Sequence, residues 1–294
     1  MQLNISNKSI VDLAKIFSPT IIKELSINGN SEKLTRVLKE LELLSQLDLK
    51  KDLSSFFNDV YNFLLKNYRN EYIYKNTIIK KVLLGKHSLN TAYLINECRV
   101  GNSKADSVIL NGTSTVYEIK SEFDTFNRLD TQLNDYKKAF EFIYIVIPSQ
   151  SLEKLKLYLN DNDVGIIVLN KRNTLSIIQE AKSNKTHFDK KIIFELLRKK
   201  EYINIIKKYY GNIPNMPNTK IFTYCKNLFY KLDIELIHSE IISTLKKRGE
   251  NNIYKEFILS VPESLKALSI QVNFTQKEKQ NLLYVLKKEM KYII

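Results

Sequence analysis

Two apolar-alternating runs, Lys104 to Leu110 and Thr113 to Lys120, flank the dipeptide Asn111-Gly112. Asn-Gly between such runs is the strongest short-range hairpin signal, because a type I′ turn needs positive φ at both central residues. The pattern therefore predicts two adjacent antiparallel strands. The two-residue period of a strand puts Glu118 and Lys120 on one face, and the partner strand brings Asp106 alongside them. Two carboxylates and one ammonium then meet at one spot. A hard divalent cation such as Mg²⁺ takes oxygen ligands of this kind, and the ammonium can orient an attacking water and balance phosphate charge.

Glu-x-Lys recurs at Glu180-Ala-Lys182 and Glu289-Met-Lys291, so spacing alone selects nothing. An ordinary cross-strand charge cluster is the competing reading of Asp106, Glu118 and Lys120. The order of elements separates the two. Tyr68 to Leu84 has helical spacing, ends at Gly85 and carries Glu71 near its start. Leu89 to Val100 follows as a strand, then the hairpin, then a helix from Asp130 to Phe140, then a strand from Phe142 to Ile147 stopped by Pro148.

Helix, three strands, helix, strand, with Asp106, Glu118 and Lys120 in these places, resembles the core of the PD-(D/E)XK nuclease superfamily. Ala105 stands where many members have the proline before the aspartate, and that proline is not a ligand. The run from Glu118 to Tyr136 is similar to a bacterial branch of the superfamily, largely uncharacterised and labelled by a myxobacterial locus tag. Further similar segments lie at Tyr68 to Asn76, Val100 to Asp106 and Pro262 to Lys266. The resemblance implies a restriction-endonuclease-like α/β core with N- and C-terminal helical additions. It implies Asp106 and Glu118 as metal ligands, the Ile119 carbonyl as a further ligand, Lys120 as the residue that positions water, and Glu71 as an added acid, around Mg²⁺ or Mn²⁺. Gln132 and Tyr136 share one helix face and resemble the Q-x-x-x-Y pair of RecB-type nucleases. Arg128 is assigned either to a phosphate or to Asp124 four residues earlier, and Glu97 either to site support or to a cross-strand ion pair. The implied activity is a nuclease acting on DNA, in defence against phage or mobile DNA. An RNase or tRNase on the same site, and a non-catalytic nucleic-acid-binding regulator on a nuclease scaffold, are the alternatives.

The net charge of +14 suits a polyanionic partner, and its distribution is uneven. Residues 1 to 181 hold 24 Lys+Arg against 21 Asp+Glu, whereas 182 to 294 hold 22 against 11. Arg198-Lys199-Lys200, Lys207-Lys208 and Lys246-Lys247-Arg248 are the clusters expected to meet phosphate, with a solvated helical surface as the plain alternative. Domain expectations are a helical stretch over 1–67, a nuclease-like core with flanking strands and helix over 68–211, and a basic helical stretch over 212–294. Ser31 is a predicted N-cap for a helix with Leu34, Val37, Leu38, Leu41 and Leu44 at core spacing, Phe188 to Tyr209 reads as one long helix, and Thr275-x-x-Glu278 as a capping box.

Other chemistries find little support. Cys98 and Cys225 form no C-x-x-C, the histidines 87, 187 and 238 are isolated, and no phosphate-cradling glycine motif occurs. No apolar run reaches about 18 residues and no signal peptide opens the chain, so a soluble cytoplasmic protein without a membrane partner is expected. A homodimer or a partner protein is left open.

Overall fold

A computed structural model describes residues 7–249 and 252–294. The chain is mixed α/β and divides into two compact units. One comprises the described parts of Met1–Lys86, Ser121–Phe123 and Asn252–Ile294; the other comprises His87–Lys120 and the described part of Asp124–Asn251. This division by compactness is not the three-part division by sequence stretch.

The first unit is helical. Ser18 caps the Pro19–Asn28 helix and Gly29, at φ 81°, ends it. Ser31 caps Glu32–Glu40 through its Oγ, which accepts from the Leu34 N–H at 3.1 Å. Leu34, Val37 and Leu38 are buried as expected, but the helix stops at Glu40, and Leu43 rather than Leu44 enters the core. Phe17 packs between Phe57, Tyr61 and Tyr72, so aromatic contacts join helices distant in sequence. Asn76 of the Glu71–Ile78 helix donates to the Glu263 carbonyl at 2.9 Å and accepts from the Ala267 N–H at 2.8 Å. It thereby ties together the segments Tyr68–Asn76 and Pro262–Lys266 singled out in the sequence. Lys266 closes the Asn252–Ser260 helix by donating to the Ile258 and Val261 carbonyls, at 2.7 and 3.1 Å. The Thr275–Glu278 capping box forms in both directions.

The second unit is built on a sheet that, among the described residues, has six strands in sequence order: β1 Tyr93–Val100, β2 Ser103–Leu110, β3 Ser114–Ile119, β4 Phe142–Pro148, β5 Gly165–Leu169 and β6 Leu175–Gln179. Neighbours β1 to β3 are antiparallel, β3, β4 and β5 run parallel, and β6 returns antiparallel. Each parallel step crosses over a helix, Leu129–Lys137 after β3 and Leu152–Tyr158 after β4, as a parallel connection requires. Among these strands β5, inside the sheet, is buried at every residue and β4 at most of them, as near-continuous apolar runs of parallel strands are.

The predicted hairpin is present, with Ser107 opposite Tyr117 and Leu110 opposite Ser114. Its loop is Asn111 to Thr113, and only Gly112, at φ 72°, has positive φ, so the two-residue type I′ turn does not form. The pairing Leu110 to Ser114 leaves three residues to close the loop, and the Asn111 N–H bonds the Thr113 carbonyl at 3.0 Å. The expected long helix from Phe188 to Tyr209 is two helices, Lys190–Glu195 and Lys199–Tyr210. Arg198 is extended between them, and its N–H is taken by the Glu201 carboxylate at 2.6 Å. The same carboxylate receives the Arg248 guanidinium at 2.6 and 2.7 Å, while Arg248 also caps the Leu196 carbonyl at 3.1 Å. A long-range arginine thus stabilises a break that local periodicity does not reveal.

Candidate functional site

The hairpin and the Leu129–Lys137 helix bring five of the predicted residues together. Glu118, on β3, is 1% exposed, and Lys120 just past its end is 6% exposed. Their side chains pair, Lys120 Nζ lying 3.0 Å from Glu118 Oε1. Leu129 and Leu133 anchor the helix in the sheet core, which turns Gln132 and Tyr136, four residues apart, toward β3. Gln132 then bridges the ion pair: its Oε1 accepts from Lys120 Nζ at 2.7 Å and its Nε2 donates to Glu118 Oε1 at 2.6 Å. The fully buried Tyr136 hydroxyl donates to Glu118 Oε2 at 2.7 Å, and lies 3.0 Å from the Lys104 carbonyl oxygen.

Asp106 completes the group from β2. Its Oδ2 accepts the Ile119 N–H at 2.7 Å, so the carboxylate is pinned to the peptide that joins Glu118 to Ile119. Lys120, in turn, gives its own N–H to the Val146 carbonyl of β4 at 2.9 Å. The backbone around the motif is fixed on both sides, which is what preorganised chemistry needs.

Burial sets the electrostatics. It pushes the Glu118 carboxyl above the usual carboxylate range, against the opposing pull of Lys120, Tyr136 and Gln132. Tyr136 is raised well beyond the ordinary phenol range, first by burial and then by the Glu118 charge, so it serves as a neutral donor. The donor set offered by Asp106 and Glu118 consists of carboxylate oxygens, the chemistry a hard divalent cation takes.

Glu97 sits in β1 with φ 57°, a left-handed conformation uncommon for a residue other than glycine and rare inside a strand. A carboxylate oxygen of Glu97 and one of Asp106 lie within 4.8 Å of one another. Glu97 also forms the cross-strand ion pair with Lys104. Asp135 was not singled out by sequence. It is buried, and it accepts from the Asn102 N–H at 3.0 Å and the Ser103 hydroxyl at 2.8 Å, clamping the β1–β2 turn onto the helix that carries Gln132 and Tyr136. The only sequence signal for it is its place one residue before Tyr136.

Glu71 belongs to the helical unit, at the first turn of its helix, and pairs with Lys75 at 2.5 Å. Arg128 is exposed at the N-terminus of the Leu129–Lys137 helix. Arg198, Lys199, Lys200 and Lys247 are exposed and Lys246 half-buried, whereas Arg248 is bound up with Glu201. No described helix is long and apolar enough to cross a membrane.

The profile of the family described as bacteriophage P4 protein cII matches residues 65–269, more than half of the chain. The matched stretch contains Glu71, Asp106, Glu118, Lys120, Gln132 and Tyr136. Protein cII of Enterobacteria phage P4 is 30% identical over 172 residues, a span covering 56% of this chain and 63% of that relative. A solved structure of a protein of unknown function from Silicibacter pomeroyi aligns with a TM-score of 0.28 at 13% identity, over 43% of this chain and 85% of that one.

Proposed function

The chain belongs to the bacteriophage P4 protein cII family, and from the geometry of its site we propose that it is a metal-dependent phosphodiesterase with a restriction-endonuclease-like core. The observation that carries the reading is the convergence of Asp106, Glu118 and Lys120 at the end of β3, locked by Gln132 and Tyr136. Asp106 and Glu118 would hold Mg²⁺ or Mn²⁺, with the Ile119 carbonyl and Glu71 as further ligands. When bound, such an ion supplies an activated water and neutralises charge on the scissile phosphate. Lys120 holds an ammonium beside that place, Gln132 fixes its direction, and Tyr136 keeps one Glu118 oxygen oriented. The basic residues after 181 attract the phosphate backbone.

DNA is the favoured substrate, and defence against phage or mobile DNA in the cytoplasm the favoured setting. Both come from the nuclease resemblance, with an RNase or tRNase on the same site as the alternative.

One observation favours the non-catalytic alternative: both oxygens of the buried Glu118 are already engaged by protein donors. A bound cation has to displace at least one of them. Calorimetric titration with Mn²⁺ separates the readings. The nuclease reading expects saturable binding that is lost in Asp106→Ala; identical heats in both proteins would leave the nucleic-acid-binding regulator.

A further inference from the structure

Exposed aromatic rings on a rigid backbone are costly unless something covers them, and the helical unit displays one such arrangement. Phe123 is 59% exposed and stacks against Tyr68, ring centroids 4.6 Å apart and planes inclined by 30°. Its neighbours fix the segment beneath it. Glu122 accepts from Arg69 Nη2 at 2.6 Å and from the Tyr74 hydroxyl at 3.1 Å, with Arg69 and Glu122 only 13% and 15% exposed. The Phe123 N–H is held by Ser121 Oγ at 3.3 Å. Tyr68 is fixed in turn, its N–H bonding the Leu64 carbonyl at 2.7 Å as the Leu53–Asn67 helix ends. The anchored acid points in and the phenyl ring points out.

We propose that the Tyr68–Phe123 pair is a stacking platform for an unpaired nucleobase, which makes the substrate a single strand or a splayed end rather than a closed duplex. The proposal rests on the nucleic-acid reading above and deepens it. Every base has a π-face and stacks on an aromatic ring whatever its sequence, whereas in a duplex both faces of each base are covered by neighbouring bases. Phe123 follows Lys120 by only three residues. The three-residue step limits the separation of the two Cα atoms to about 11 Å, so the covalent chain itself keeps the ring close to the Glu-x-Lys motif. A buried apolar partner would serve the ring equally well, but Phe123 remains outward although its own segment is pinned by a largely buried ion pair.

The test uses the full chain carrying Asp106→Ala, to prevent cleavage, and fluorescein-labelled dT20 beside a 20-base-pair duplex. Adding Phe123→Ala should weaken dT20 binding by about 5- to 150-fold, the range of one lost base–aromatic stack, with the duplex affected less than about twofold. Phe123→Trp should restore binding, and because the chain has no tryptophan, its emission should report the stacked base directly by quenching. Unchanged dT20 affinity in Phe123→Ala, or tryptophan emission that ignores saturating dT20, would overturn the platform while leaving nuclease chemistry standing. If the Asp106→Ala parent binds neither probe, the nucleic-acid reading fails together with the platform.

Discussion

Replacing Lys120 by Met should damage the fold far more than an average point substitution, and a second substitution should repair most of the damage. Lys120 Nζ stands 3.0 Å from Glu118 Oε1, with the side chains 8% and 2% exposed. At that separation and an effective dielectric of about 20, the gross attraction is about 5.5 kcal/mol. Burial already pushes the Glu118 carboxyl up despite this attraction, so the charge has little reserve once the ammonium goes. Breaking one side of a buried pair costs about 3–5 kcal/mol, whereas replacing both members by neutral groups of similar volume is roughly neutral. Lys120→Met alone should therefore lose about 3–5 kcal/mol, and Glu118→Gln with Lys120→Met should fall within about 1 kcal/mol of the parent. Urea unfolding followed by both far-UV circular dichroism and tyrosine fluorescence supplies the cycle, with coincident transitions and constant slopes as its condition. A loss under about 1 kcal/mol in Lys120→Met, or strictly additive substitutions, would refute the buried-pair argument.

Asp106→Ala should abolish cleavage and also cost about 1–3 kcal/mol, because the Ile119 N–H loses its acceptor; full activity in purified Asp106→Ala would contradict this. Arg248→Met should destabilise the sheet-containing unit by about 2–4 kcal/mol, since Glu201 keeps only the Arg198 N–H and the Leu196 carbonyl loses the guanidinium, whereas Lys247→Met should change a melting curve by less than about 0.5 kcal/mol on the scale of ordinary surface substitutions. Burial holds the His238 imidazole below its usual value; Ser114, Phe188, Glu141, Lys185 and Glu235 surround it, and the two glutamates pull the other way. The unfolded chain then binds this proton more readily, so the contribution of His238 is fully present above about pH 6.5 and is lost as pH falls through the lower folded value. Stability measured from pH 7.5 down to 5 should decline less steeply in His238→Phe than in the parent. Gly101→Ala should cost about 1–3 kcal/mol in a melting or urea experiment, because φ is 56° and the new Cβ would approach Asp135 Oδ1 to 2.8 Å.

What sequence alone disclosed was local. Alternation around Asn111-Gly112 gave β2, β3 and the shared face of Glu118 and Lys120, and i to i+4 spacing gave the common face of Gln132 and Tyr136. These are consequences of fixed backbone periods. The contacts it missed depend on groups far apart in the chain. Nothing near Arg248 signals that it caps Leu196 and binds Glu201, so the helix break at Arg198 was invisible. Asp135 looks like one more polar helix residue until the β1–β2 turn is placed beneath it. The sequence leaves Glu97 between site support and a cross-strand ion pair, and the residue shows both the Lys104 pair and nearness to Asp106; only its left-handed backbone has no sequence signature. Gly112 was read as part of a two-residue turn, and the pairing of Leu110 with Ser114 fixed a three-residue loop instead.

The most direct measurement is cleavage itself: purified full-length protein with Mg²⁺ or Mn²⁺, incubated with labelled duplex DNA, single-stranded DNA and tRNA, beside Asp106→Ala and an EDTA control. A metal-dependent phosphodiesterase centred on Asp106, Glu118 and Lys120 predicts breakdown of at least one substrate, stopped both by EDTA and by Asp106→Ala. No breakdown of any substrate, or breakdown that persists in EDTA or in Asp106→Ala, would contradict it.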